Sequence, residues 1–257
     1  MPIRAILFDL FDTLVDLEMD DLPEVLIDGK RERSTYGILH AVTSEYLSID
    51  FGRFVTLLGE VDQKKIEVQR QGREYPTLER FRELAERLEF PNPDFPERLT
   101  EAHMGEVARC ARYRPEHSQI LAELRKRYVI GLCSNFSHTP TAVRALEEAD
   151  LLAHMDAVVV SEEAGWRKPR AEIFLEALRR LDVSPGETVH VGDRLNADVA
   201  GAAALGIRTV WLTRRVRDPD QKLEAHAGLP PAATIADLSE LPALLERDLG
   251  NRSRPRR

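Results

Sequence analysis

Residues 3–16 read IRAILFDLFDTLVD. The run Ile6-Leu7-Phe8 is short and apolar, ends at Asp9, and is followed closely by Asp12 and Thr13. Apolar runs of this length, bounded by a turn signal, predict a buried central strand of a parallel sheet. Open α/β sheets hold their chemistry at the carboxyl ends of such strands. Asp9 therefore stands where a nucleophile or a metal ligand would, although an aspartate there also serves as a plain loop cap. Three later segments decide between the two.

Beyond residue 112 the chain alternates. HSQILAELRKR, from residue 117, predicts a helix with Ile120, Leu121 and Leu124 on one face. Strands are expected at Tyr128–Cys133, Asp156–Val160, Thr188–Val191 and Arg208–Leu212, with helices at Ala171–Leu181 and Ala197–Leu205. Gly206 stops the second helix, and Thr234–Ile235 with Leu238–Leu245 predicts a last strand and helix. Strand–helix alternation of this kind predicts an α/β fold, a doubly wound parallel sheet of Rossmann type with right-handed crossovers. Residues 17–108 differ: they show helical stretches at Thr35–Leu47, Phe54–Gln69 and Thr77–Leu88, and no strand is expected there. The expected organisation is an α/β core from 1–16 and 109–248, an all-helical insertion over 17–108, and a short basic tail over 249–257.

Composition narrows the function. The 257 residues are 43% hydrophobic, enough for one large α/β domain or a core with a smaller accessory domain. A net charge of −8 lacks the basic footprint of a nucleic-acid binder. No apolar stretch reaches the length of a membrane span, and the first residues carry no secretion signal, so a cytoplasmic protein without a membrane partner is expected. Cys110 and Cys133 are far apart and fit small buried residues in a reducing compartment.

Four polar clusters fall at predicted strand ends or helix starts. They are Asp9 to Thr13, Ser134-Asn135 after YVIGLC, Lys168-Pro169 before the helix at Ala171, and Gly192-Asp193-Arg194-Leu195-Asn196-Ala197-Asp198 after TVHV. Each has an ordinary explanation as a loop, cap or turn. Four in this order do not.

Together FDLFDTL, CSN, GWRKPRAEIF and VGDRLNADVAGAAALGI resemble the haloacid dehalogenase-like (HAD) hydrolase superfamily, in members with a helical cap inserted after the first motif. The resemblance covers roughly residues 3–16 and 112–245, and the cap by position only. It implies that Asp9 is the nucleophile, forming an aspartyl-enzyme intermediate that water hydrolyses. It implies catalytic parts for Lys168 and Ser134, with Lys168 offsetting negative charge, and substrate contacts for Asn135, Thr13 and Phe11. Thr13 is also expected to fix the loop after the first strand. Mg²⁺ is the implied cofactor, held by Asp9, Asp193 and the carbonyl of Phe11, with Asp198 in the shell or behind it. The implied partner is a small phosphorylated metabolite.

One position departs from the pattern. Phosphatases that this chain resembles carry a second aspartate two residues after the nucleophile, to protonate the leaving alkoxide; here that residue is Phe11, and Asp12 stands one place further on. Such an acid is worth roughly two to four decades in rate, mostly on poor leaving groups. The departure keeps open 2-haloacid dehalogenation through an Asp9 ester, and also a catalytically weak binding protein. The dehalogenases of this family lack the aspartate after the glycine, however, and here Asp193 and Asp198 are both in place. His138, His40 and His103 are candidates to replace the acid, with Asp16 and Asp20 weaker ones. Lys30, Lys64 and Lys65 carry no mark of a Schiff-base lysine.

Overall fold

The structure, a computed structural model, describes residues 1–249. The expected basic tail beyond Leu249 lies outside the described residues. The chain forms two compact units, one from the described residues of Met1–Asp16 and Tyr113–Arg257 and one from Leu17–Arg112. In chain order β1 (Ala5–Phe8) leads into the second unit, which holds β2 (Glu24–Ile27), β3 (Lys30–Arg33), α1 (Tyr36–Ser44), α2 (Phe51–Arg70), α3 (Thr77–Arg87) and α4 (Asp94–Arg109). The first unit resumes with α5 (Pro115–Leu124), β4 (Val129–Ser134), α6 (Thr139–Glu148), β5 (Ala157–Val160), α7 (Ser161–Ala164) and α8 (Ala171–Leu181). Then come β6 (Thr188–Gly192), a π-helical turn (Leu195–Ala200) running into α9 (Gly201–Ala203), β7 (Arg208–Leu212), α10 (Pro219–Glu224), β8 (Ala233–Ile235) and α11 (Leu241–Leu244).

The first unit is built on one six-stranded sheet in the order β8-β7-β6-β1-β4-β5, parallel at each neighbouring pair. The chain winds outward from β1 through β4 and β5, then returns to β6 on the other flank of β1. That reversal is the switch point at which open α/β sheets leave a crevice beyond their carboxyl ends. Phe8 lies opposite Leu132 on β4 and Val191 on β6, so Asp9, Ser134 and Asp193 leave the sheet at the same edge. The strands are apolar because helices cover both faces. Ile6, Leu7, Phe8, Ile130, Leu132, Val189 and Val191 have no exposed surface, each contributing on the order of 1.5–3 kcal/mol by leaving water. Packing on β4 is close: a Cβ on Gly131 would stand 2.9 Å from the terminal carbons of both Leu7 and Leu181, and those side chains would have to shift.

The second unit corrects an expectation, since it is not all helical. Glu24–Ile27 and Lys30–Arg33 form an antiparallel hairpin. Asp28 and Gly29 turn it with φ of 49° and 76°, a two-residue loop that suits the strand twist. The hairpin escapes a periodicity reading because β3 is Lys-Arg-Glu-Arg, exposed throughout, and only β2 alternates. Glu24 holds it across the strands through Arg31 at 3.1 Å and Arg33 at 2.9 Å. Helix α4 also lies outside the expected helical stretches. Pro96 sits in the first turn, where its missing N–H has no intrahelical acceptor to lose.

The helices of this unit bury Leu39, Phe54, Leu58, Phe81, Leu84, Phe95 and Leu99 together. Beside them Arg80, 4% exposed, donates to both oxygens of Asp62 at 2.6 and 2.8 Å, and Tyr36 donates its hydroxyl to Asp62 at 2.6 Å. Removing one partner of such a pair strands a buried charge. Asp62→Ala is accordingly expected to destabilise this unit by about 3 kcal/mol. Urea unfolding followed by circular dichroism measures this, and an unchanged midpoint would show that the pair adds nothing. Among the described residues no helix is long and apolar enough to cross a membrane.

Candidate active site

After β1 the backbone N–H of Asp9 donates to the carbonyl of Val191 at 2.9 Å, which ties the loop to β6. The loop then folds on itself: Leu14 and Val15 donate to the Leu10 carbonyl, and Asp12 donates to that of Val15 at 2.7 Å. Asp12 takes a left-handed conformation, φ 62°, and its carboxylate accepts from Arg215 at 2.8 Å. Arg214 binds Asp16 nearby, with one bond of 2.9 Å, and Arg114 reaches the same carboxylate at 3.1 Å. Burial pushes the Asp16 carboxyl up, but these two arginines outweigh it and hold the group below the usual carboxylate range.

Lys168 lies at the centre of the charged cluster. Its ammonium is buried and donates to Asp9 Oδ1 at 2.7 Å and to Asp198 Oδ1 at 2.6 Å. Asn135 fixes the backbone beneath it by a reciprocal pair: Nδ2 donates to the Lys168 carbonyl at 2.9 Å, and the Lys168 N–H donates to Oδ1 at 2.7 Å. The Lys168–Pro169 peptide bond is cis. Asp198 is fully engaged. His190 Nε2 donates to its Oδ1 at 3.0 Å, and the Arg194 N–H donates to its Oδ2 at 2.9 Å. Gly192 allows this fold-back, since a Cβ there would stand 2.3 Å from Asp198 Cγ.

Asp193 is different. Its backbone is held by the Trp211 indole, which donates to the Asp193 carbonyl at 2.8 Å. Its carboxylate Oδ1 is buried and finds no hydrogen-bond partner among the described residues. Carboxylate oxygens of Asp9, Asp193 and Asp198 all lie within 4.8 Å of one another. Burial, and then the charges of Asp9 and Asp198, push the Asp193 carboxyl up to about 7. Burial also raises that of Asp9 against the pull of Lys168. Asp198 is held low, because Lys168 and His190 overcome the burial that opposes them. Two carboxylates likewise outweigh burial at Lys168 and keep it charged. Three acids around one lysine leave negative charge unbalanced. An orphaned buried oxygen in an all-oxygen donor set fits a hard divalent cation such as Mg²⁺.

Asp9, Phe11, Ser134, Asn135, Lys168 and Asp198 line one small cavity of about 40 Å³ together with Arg194 and Ala197. Of the residues expected at the site, Thr13 and Asp193 are not among its lining, and Asp193 lines a larger adjoining groove instead. Thr13 has no exposed surface, and its hydroxyl has no hydrogen-bond partner among the described residues. Asn135 does reach the cavity, but both ends of its side-chain amide are spent on Lys168. The candidate replacement acids have other partners: His138 meets Thr141 at 2.8 Å, His40 the carbonyl of Ile49 at 2.9 Å, and His103 the hydroxyl of Thr35 at 2.8 Å. Lys64 pairs with Glu83 at 2.5 Å.

Sequence reasoning missed Phe136, His190, Arg194 and Arg215. Phe136 packs on Phe11 with ring centroids 4.7 Å apart, and Ser161 Oγ fixes its N–H at 2.9 Å. His190 had a signal, as a lone polar residue inside the apolar strand that precedes Gly192-Asp193. Arg215 had none, because its partner Asp12 is 203 residues away.

A family model for haloacid dehalogenase-like hydrolases matches residues 3–206. A glyceraldehyde 3-phosphate phosphatase of Pyrococcus furiosus is 29% identical over 254 residues, covering 97% of this chain and 95% of that protein. A ribulose-1,5-bisphosphate 5-phosphatase of Halopiger xanaduensis is 37% identical over 121 residues. That match spans 47% of this chain and only 48% of the relative, about half its length. The crystal structure of a 2-haloacid dehalogenase from Pseudomonas syringae shares the fold, with a TM-score of 0.66 at 22% identity over 95% of this chain and 99% of that one. With the four polar clusters now meeting at one edge of the sheet, the chain belongs to the haloacid dehalogenase-like hydrolases.

Proposed function

We propose that this hydrolase cleaves a phosphate monoester of a small metabolite, with Mg²⁺, through a phosphoryl group carried on Asp9. The observation that carries the reading is the pairing of a buried, lysine-held Asp9 with an Asp193 whose buried oxygen has no protein partner among the described residues. Relatives named as phosphatases of a triose phosphate and a pentose bisphosphate support the substrate class.

In this reading an Asp9 oxygen attacks phosphorus, the bond to the leaving oxygen breaks, and water then hydrolyses the acyl phosphate to restore the carboxylate. Asp9, Asp193 and the Phe11 carbonyl would hold Mg²⁺, which supplies the charge neutralisation that lets a carboxylate approach a phosphate dianion. Asp198, with both oxygens engaged by protein donors, stands behind as the support of Lys168. Lys168 offsets charge on the transferring group, and Ser134 binds it from the end of β4. Asn135 acts by positioning Lys168. We assign the 17–112 unit the role of a cap that excludes water during the chemistry.

A second reading, dehalogenation through an Asp9 ester, draws on Phe11 at the acid position and is opposed by Asp193. One experiment separates them. Purified protein is assayed for phosphate release from p-nitrophenyl phosphate, with Mg²⁺ and with EDTA, and for halide release from 2-chloropropionate. Phenolate leaves without a proton, so Phe11 does not mask the activity. The expected result is phosphate release that EDTA abolishes and Mg²⁺ restores; metal-independent halide release would overturn it.

A further inference from the structure

A groove of about 750 Å³ adjoins the small cavity around Asp9, and the two share Arg194 and Ala197 in their walls. One side is the loop after β6 and the other is the stretch from Arg215 to Ala227, so both come from the α/β unit. Trp211 lines it, fixed by its bond to the Asp193 carbonyl. The volume is far larger than a phosphoryl group needs and falls in the usual range for small-molecule sites.

The charge of this groove runs against that of the whole chain. A protein of net charge −8 here gathers Arg194, Arg215 and Lys222 around a single acid, Asp193. Asp193 is already assigned to the metal. Arg215 is held by Asp12 at 2.8 Å. Arg194 uses its backbone N–H to hold Asp198, is exposed, and lines both cavities. Lys222 is exposed on α10, where its backbone N–H donates to the Asp218 carbonyl at 3.1 Å, and its side-chain ammonium makes no hydrogen bond or ion pair among the described residues. A neutral alcohol body would gain little from such a wall, whereas a carboxylate or phosphate forms charge-assisted hydrogen bonds with it. Because Arg194 borders both spaces, a ligand with its phosphoryl group at Asp9 can extend directly into the groove.

We infer that the substrate carries a second anionic group, a carboxylate or another phosphate, which this groove binds through Arg194 and Lys222. The inference rests on the phosphatase reading above and narrows it to phosphorylated metabolites with two anionic groups.

The test measures binding by calorimetry at constant ionic strength, with Mg²⁺ and the Asp9→Asn protein so that nothing turns over. The probes are 3-phosphoglycerate and fructose 1,6-bisphosphate, set against glycerol 3-phosphate and fructose 6-phosphate. The two-anion ligands should bind at least about tenfold tighter. Lys222→Gln should weaken them about tenfold, leave the one-anion ligands within about twofold, and be rescued by Lys222→Arg. Equal affinities across the pairs, or a Lys222→Gln effect that is absent or equal for both, would overturn the inference. Turnover of p-nitrophenyl phosphate by the wild-type protein, measured alongside, reports separately on the phosphatase reading.

Discussion

Asp9→Asn is expected to lower turnover of p-nitrophenyl phosphate by at least roughly four decades while leaving the protein folded. The amide keeps the shape of the side chain but has no anionic oxygen to attack phosphorus. Folding survives because Lys168 does not depend on Asp9 alone. Asp198 still accepts from its ammonium at 2.6 Å, and Asn135 still clasps its backbone. Loss of activity without a fall in the thermal midpoint is therefore the signature of the nucleophile. Loss with unfolding would instead mark Asp9 as a structural partner of the lysine. A variant within tenfold of wild type would show that another group attacks.

The same cluster explains why so much of the site is legible in the amino-acid sequence. Asp9, Lys168, Asp193 and Asp198 each sit where an apolar strand ends or a helix begins, and apolar runs such as Ile6-Leu7-Phe8 and Tyr128–Cys133 mark those ends in one dimension. Residues that work through partners far along the chain leave no such mark. Arg215 holds Asp12 across 203 residues of sequence, and Asn135 places its amide on a backbone 33 residues away. Asn135 accordingly reads as a substrate contact in one dimension, and its bonds to the Lys168 backbone leave no trace there. Thr13 reads the same way and has no exposed surface. In the fold, the misses have the same origin. The Glu24–Arg33 hairpin is stabilised by charge pairs and a positive-φ turn rather than by alternating apolar residues. Helix α4 follows Pro93 at its N-cap and carries Pro96 in its first turn, where a proline is tolerated.

The other large effect is expected at Phe11, in the opposite direction. Phe11→Asp should raise kcat/KM on alkyl phosphates such as glycerol 3-phosphate by ten- to a hundredfold, within the roughly two to four decades that a positioned acid can supply. The aryl ester, p-nitrophenyl phosphate, should change by no more than about threefold, because its leaving group needs no proton. The site has room for the change. Phe11 already lines the cavity beside Asp9, and its ring packs on Phe136 with centroids 4.7 Å apart. Asp12 does not fill the role, since its left-handed backbone and its bond to Arg215 turn the carboxylate to another partner, and it is not among the cavity's lining residues. Losing the ring pair costs about 1 kcal/mol, which a thermal melt separates from any kinetic effect. The contrast between leaving groups is what makes the result specific, because a general loosening of the site would move both esters together. If the alkyl esters gain nothing while folding and Mg²⁺ affinity are intact, the protein already has a proton donor, and the search for it moves to the side chains of the 17–112 unit.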